Sequence, residues 1–140
     1  MDEQQAPTAV APRPRLAAAA TFLEGLAAQD YARLGEALAP AVHVRALLPG
    51  GPREWTGAAA VADRFARWFG DTEQHELKER GAEAVHGRIH LRWRIRLQAE
   101  RLGAGWFVVE QLAYADADEN DQIAGLDLLC TGYLAERRDG

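Results

Sequence analysis

Between Ile89 and Leu97 the chain reads Ile-His-Leu-Arg-Trp-Arg-Ile-Arg-Leu, with apolar and basic side chains alternating at every step. A period of two is that of a β-strand with one face turned to a core and the other turned away. Ile89, Leu91, Trp93, Ile95 and Leu97 share the core face, and His90, Arg92, Arg94 and Arg96 share the other. This stretch orients the sheet, and the sheet decides which later residues can reach a ligand.

A chain of 140 residues makes one domain, burying roughly 68% of its unfolded surface. Hydrophobic content of 48% with 26% charged residues fits a globular protein. The net charge of −5 disfavours nucleic acid, the arginine-bearing strand being a local exception. The single cysteine, Cys130, excludes an internal disulfide and makes the cytoplasm the expected location. Arg13 and Arg15 before Leu16–Ala20 mimic a signal peptide, but Glu24 interrupts the apolar run too early. No span approaches the ~20 apolar residues of a membrane helix. Residues 1–15, with Pro7, Pro12 and Pro14, read as a disordered tail, 16–134 as the domain and 135–140 as a flexible C-terminus.

Leu16–Ala28 has Phe22, Leu23 and Leu26 at helical spacing. Asp30 can cap a second helix, Tyr31–Leu38, that stops before Pro40. Val42–Leu48 is β-leaning, Pro49-Gly50-Gly51-Pro52 breaks it, and Arg53–Trp55 runs back as a short strand. Thr56 is the expected cap of a third helix reaching Phe69, with Val61, Phe65, Trp68 and Phe69 on its buried side. The remainder of the chain reads as antiparallel sheet: Glu76–Val85, a turn at His86-Gly87, Ile89–Ala99, Trp106–Asp116 and Ile123–Tyr133.

Three helices followed by long meandering strands is an α+β order. In that order over residues 16–134, in Gly57 opening the third helix after Trp55-Thr56, and in the hairpin Tyr114–Asp127 ending in Leu-Asp-Leu-Leu-Cys, the chain resembles the nuclear-transport-factor-2-like superfamily. That superfamily includes the SnoaL-like polyketide cyclases and the ketosteroid isomerases. The resemblance implies three N-terminal helices packed in the concavity of a strongly curved, mostly antiparallel β-sheet. Such a cone-shaped α+β barrel has an open, mostly apolar cavity.

The last hairpin sets the register. With Asn120-Asp121 as a two-residue turn, Asp118 pairs with Ile123 and Ala113 with Leu128. Phe107, Val109, Gln111, Ala113, Leu126, Leu128 and Cys130 then face the concavity; Trp106, Val108, Glu110, Leu112, Tyr114, Asp127 and Leu129 face outward. A one-residue slip would exchange the two sets. The outer face gathers Arg92, Arg94 and Arg96 with Glu79, Glu83, Glu110 and Asp127, among apolar groups too numerous for a wholly wet surface. A homodimer through this face would cover them, and similar proteins often dimerise this way.

Resemblance to the ketosteroid isomerases places Leu48 at the general-base position, Phe22 at the tyrosine position and Ala113 at the acid position. All three are apolar, so that machinery is missing. Glu110, Tyr114 and Asp127 form the most enzyme-like cluster, with Tyr114 opposite Asp127; facing the concavity, they could do acid–base work. Facing outward, they are ion-pair and interface residues. Cys130 reads as a small hydrophobe, and Gln111 across from it as the better polar handle for a ligand carbonyl or hydroxyl. No His, Cys, Asp or Glu set has metal-ligand spacing, and no cofactor motif is present.

The expected function is binding of a small, largely apolar molecule by Phe22, Leu48, Trp68, Trp93, Gln111 and Leu128, with Phe65 and Cys130 beside them. One alternative is a cyclase, isomerase or hydrolase using Asp127, Glu110 and Tyr114. Another is a non-catalytic dimeric interaction module. The direction of the carboxylates separates them: concave favours the enzyme, convex the binder.

Overall fold

The computed structural model of the chain describes residues 15–137. The expected tail at 1–15 lies outside them except for Arg15, as do residues 138–140 of the expected flexible terminus. Three helices, α1 (Ala17–Ala28), α2 (Tyr31–Glu36) and α3 (Ala58–Phe69), pack in the concavity of a curved, mostly antiparallel sheet. Its strands are β1 (Leu38–Leu48), β2 (Gly51–Thr56), β3 (Gln74–Val85), β4 (Arg88–Gln98), β5 (Phe107–Ala117), β6 (Ile123–Cys130) and the short β7 (Leu134–Ala135). The order is β2-β1-β6-β5-β4-β3, with β7 added beside β5. β1 and β6 are parallel; the other pairs are antiparallel.

Helix α1 ends where Gln29 adopts a left-handed conformation (φ 54°). Its side-chain amide then donates to Phe69 O at 2.9 Å and to Thr72 Oγ1 at 2.8 Å, tying the end of α1 to the end of α3. Gly25 lets α2 cross α1 closely, since a Cβ there would lie 2.6 Å from the backbone nitrogen of Leu34. Asp30 caps α2 as expected, accepting from the Arg33 N–H.

Several boundaries differ from the sequence reading. α2 stops at Glu36, and β1 begins at Leu38, running through Pro40. Register with β6 shifts between Leu38 and His43, an irregular stretch that spares Pro40 the ladder hydrogen bond it cannot donate. Gly57, not Thr56, precedes α3, because φ is +101° there and a side chain would be strained. Pairing of the last hairpin slips between Asp116 and Ala117, so Ala117 rather than Asp118 meets Ile123. Asp118 instead accepts from the N–H groups of Asn120 and Gln122 and closes the turn. β6 ends at Cys130, not Tyr133. Within the segment expected as a flexible terminus, Ala135 pairs with Phe107, and the Glu136 N–H donates to Trp106 O.

The side-chain parity of the central strands is as read. Ile89, Leu91, Trp93, Ile95 and Leu97 are buried, joined across β5 and β6 by Val109, Gln111, Ala113, Leu126 and Leu128. Beyond the slip at Ala117 the direct pairs Ala113–Leu128 and Tyr114–Asp127 are present.

Candidate functional site

On the inner face, Phe22 of α1 meets Phe65 of α3 edge-on at 5.3 Å and the Trp93 indole at 5.5 Å. Phe22, Phe65, Trp93 and Leu128 are 0, 1, 2 and 3% exposed. A void large enough for water would leave accessible surface on its walls, so these rings fill the depth of the cone. Phe22, Phe65, Trp93 and Leu128, expected to line a cavity, are buried members of the hydrophobic core. Leu48, Trp68 and Cys130 are partly buried and packed against that core.

Gln111 is the polar residue in this apolar wall. Its Oε1 accepts from Trp93 Nε1 at 2.7 Å, while its Nε2 is sealed from solvent with no acceptor. A buried donor left unpaired costs about 1–3 kcal/mol. Directly across the β5–β6 ladder lies Cys130, whose Sγ accepts from the Gly132 N–H at 3.3 Å.

After β6 the segment Thr131–Tyr133 forms a strap between Pro49 and the end of α3. Gly132 has φ +77°, and a Cβ there would lie 2.7 Å from Pro49 Cγ. The Tyr133 hydroxyl donates to Trp68 O at 2.6 Å, at the end of α3. Arg101 donates to both oxygens and to Asp71 Oδ2, the last at 2.6 Å. The sequence reading did not find Tyr133, Arg101 and Asp71, because the latch joins three segments far apart in the chain. Gly132, a glycine just after an apolar strand, is its one local sign.

The enzyme-like cluster is on the outer face. Asp127 accepts from Arg45 Nε at 2.8 Å and Arg88 Nη2 at 2.9 Å. Those guanidinium groups, Arg45 first, hold its carboxyl below the ordinary value. Glu110 accepts from Arg94 at 3.2 Å, and Arg94 also meets Glu79 at 3.4 Å. The Tyr114 ring packs 4.9 Å from His90. Asp127 and Tyr114 are cross-strand neighbours, but Glu110, Tyr114 and Asp127 enclose no interior space.

A cavity of about 640 Å³ lies over this outer face. Its lining is Glu79 of β3 with successive triplets at β1, β4, β5 and β6 and their ends: Leu47–Pro49, Arg92–Arg94, Glu110–Leu112 and Leu129–Thr131. The outward members of each triplet form the walls, so the volume is a trough on the sheet rather than the inside of the cone. Among the described residues no three His, Cys, Asp or Glu side chains could hold a metal, and no helix is long and apolar enough to cross a membrane.

No protein-family model and no curated protein sequence matches the chain. Solved structures do. A protein described as a polyketide cyclase from Xanthomonas campestris aligns with TM-score 0.61 at 19% identity, covering 80% of this chain and 86% of that one. A SnoaL-like polyketide cyclase from Shewanella putrefaciens gives 0.62 at 12% over 81% and 86%. A nuclear-transport-factor-2-like protein from Burkholderia xenovorans gives 0.59 at 12% over 81% and 86%. The class is thus an α+β cone with its helices inside. Within that class, the fold is the nuclear-transport-factor-2-like one of the SnoaL-like and ketosteroid-isomerase-like proteins.

Proposed function

We propose that the protein binds a small, largely apolar molecule carrying one hydrogen-bond acceptor, and that it is not an acid–base catalyst. One observation carries this: in an otherwise apolar inner wall, Gln111 keeps an unpaired amide N–H₂ while Trp93 holds its oxygen and so fixes the direction of the amide. A ligand carbonyl would give that donor the partner it lacks. The binding space is the mouth bounded by Leu48, Trp68 and Cys130, opened when the Thr131–Tyr133 strap lifts. Glu110, Tyr114 and Asp127 stand on the opposite face of the sheet, their carboxylates held by arginines. Asp127, its carboxyl held below its ordinary range by Arg45 and Arg88, is a poor proton shuttle at neutral pH. The likeness to proteins described as polyketide cyclases suggests an aromatic ketone as the ligand class. The lone cysteine fits a reducing, cytoplasmic setting.

Isothermal titration with 2-acetylnaphthalene, against 2-ethylnaphthalene as its carbonyl-free counterpart, tests the reading. The ketone should bind about tenfold more tightly, the order of one buried hydrogen bond. Gln111→Met should erase that ratio. Failure of both compounds to bind, or an unchanged ratio in Gln111→Met, refutes it.

A further inference from the structure

Gln111 of β5 stands at the middle of a rung that runs from β4 to β6. Its direct partner on β4 is Trp93, and its direct partner on β6 is Cys130. Trp93 Nε1 donates to Gln111 Oε1 at 2.7 Å, so the amide oxygen is turned toward β4. The unpaired N–H₂ is thereby directed away from Trp93, to the side of β5 on which Cys130 stands. Gln111 is 3% exposed, and its Nε2 has no partner among the described residues. Cys130 is the single cysteine of the chain, half-buried and with a free thiol. The Gly132 N–H donates to its Sγ at 3.3 Å and holds the sulfur in place. That N–H belongs to the strap, so the movement that admits a ligand also frees the sulfur.

We propose that Cys130 is a covalent capture site for α,β-unsaturated ketones, with Gln111 holding the carbonyl while the thiol adds to the β-carbon. This rests on the ligand reading above and narrows its ketone to an enone. Directly opposed side chains on adjacent strands have Cβ atoms about 5 Å apart. An enone bridges such a gap, because its carbonyl oxygen and β-carbon are the two ends of one short conjugated unit. In the step, a sulfur electron pair forms the S–C bond and the thiol proton leaves to solvent. The C=C pair shifts to give an enolate, whose oxygen takes the Gln111 N–H, a donor already in position and shielded from water. The α-carbon then takes a proton from solvent. The sum is addition of S–H across C=C, which needs no oxidant, reductant or further reactant. A thiol alone would add to any electrophile; the amide beside it favours those whose negative charge collects on an oxygen. A saturated ketone meets the same amide but offers the sulfur no conjugated carbon, so it binds reversibly.

Intact-mass spectrometry with benzylideneacetone, beside its saturated counterpart benzylacetone, tests the proposal. Wild type should gain one probe mass with the enone and none with the saturated ketone. Cys130→Ser should gain none with either. Gln111→Met should slow the adduct at least ~10-fold, as loss of an oxyanion donor does. Its reaction with dithiodipyridine, which has no carbonyl, should stay near the wild-type rate, and that comparison separates a lost donor from an altered fold. A second measurement needs no variant: the enone-to-dithiodipyridine rate ratio of wild type should exceed that of N-acetylcysteine by at least ~10-fold. An adduct formed by Cys130→Ser at the wild-type rate, a ratio equal to that of N-acetylcysteine, or a ratio unchanged in Gln111→Met overturns the proposal. If benzylacetone then still binds in titration with an affinity that depends on Gln111, the ligand reading stands and covalent capture alone falls. If neither compound binds, both fall.

Discussion

The Trp93 indole N–H donates to Gln111 Oε1 at 2.7 Å between adjacent strands, and Gln111 is 3% exposed. The two residues face each other directly in the β4–β5 register. This bond fixes the amide orientation and leaves its N–H₂ pointing away from Trp93 without an acceptor.

Gln111→Leu should leave the indole donor buried and unpaired while removing the amide N–H₂ that has no acceptor, so the loss in urea unfolding should be about 1 kcal/mol. Trp93→Phe removes the donor but opens space among the inner rings. The double variant should cost clearly less than the sum of the two, with a coupling of about 1 kcal/mol. Additive losses would mean that the bond contributes nothing.

Asp127 makes a second prediction, on acid stability. Its carboxyl is held below its ordinary 3.8 by Arg45 and Arg88. A depressed folded value means the unfolded chain takes the proton first. The contribution is therefore complete above 3.8 and disappears as pH falls through the lower folded value. Asp127→Asn should flatten the stability profile below about pH 4 and leave the preference for the ketone unchanged.

His75 acts at higher pH. Burial against the Phe69 ring, 6.4 Å away, lowers its basicity below the ordinary 6.5. The unfolded chain again binds the proton more readily, so stability falls as pH drops below 6.5 toward the folded value. Thermal melts of His75→Phe between about pH 7 and 5 should lose that slope; an unchanged slope would place its origin elsewhere.

Gly25→Ala should be costly although the residue is helical. Its Cβ would lie 2.6 Å from Leu34 N and 2.9 Å from Asp30 O, both backbone atoms that cannot swing aside. Overpacking of that kind costs about 1–3 kcal/mol, outweighing the gain in helix propensity. A stabilised variant would show that α1 and α2 separate easily.

Tyr133→Phe should loosen the strap. The hydroxyl gives a hydrogen bond to Trp68 O and receives one from Arg101. Its loss should cost about 1 kcal/mol and raise hydrogen exchange at Gly132 and Leu134. Unchanged exchange would mean that Gly132 against Pro49 holds the strap by itself.

The direction of each side chain was legible because the β4 alternation is long and unbroken, and the adjoining pairs inherit its parity. Gln111, Ala113 and Leu128 point inward for that reason, and Glu110, Tyr114 and Asp127 outward. The β1–β6 pairing could not be read locally, since a parallel contact joins strands far apart in the chain and leaves no mark on either one's composition. Pro40 reads as a stop for the second helix, yet β1 runs through it where the register with β6 shifts. The filling of the cone was hidden for another reason: an apolar pattern tells which rings turn inward, not whether Phe22, Phe65 and Trp93 leave a gap or close on one another. The latch of Tyr133 on the end of α3 had no local pattern beyond Gly132.

The central claim is a division of labour between faces: an interior amide meets the ligand while the outer carboxylates serve ion pairs. The triple variant Glu110→Gln, Tyr114→Phe, Asp127→Asn, titrated with 2-acetylnaphthalene, tests it most directly. Affinity within about twofold of wild type, alongside lost acid stability, is the expected result. Abolished binding in a variant that remains folded would place the working chemistry on the outer face and contradict the claim.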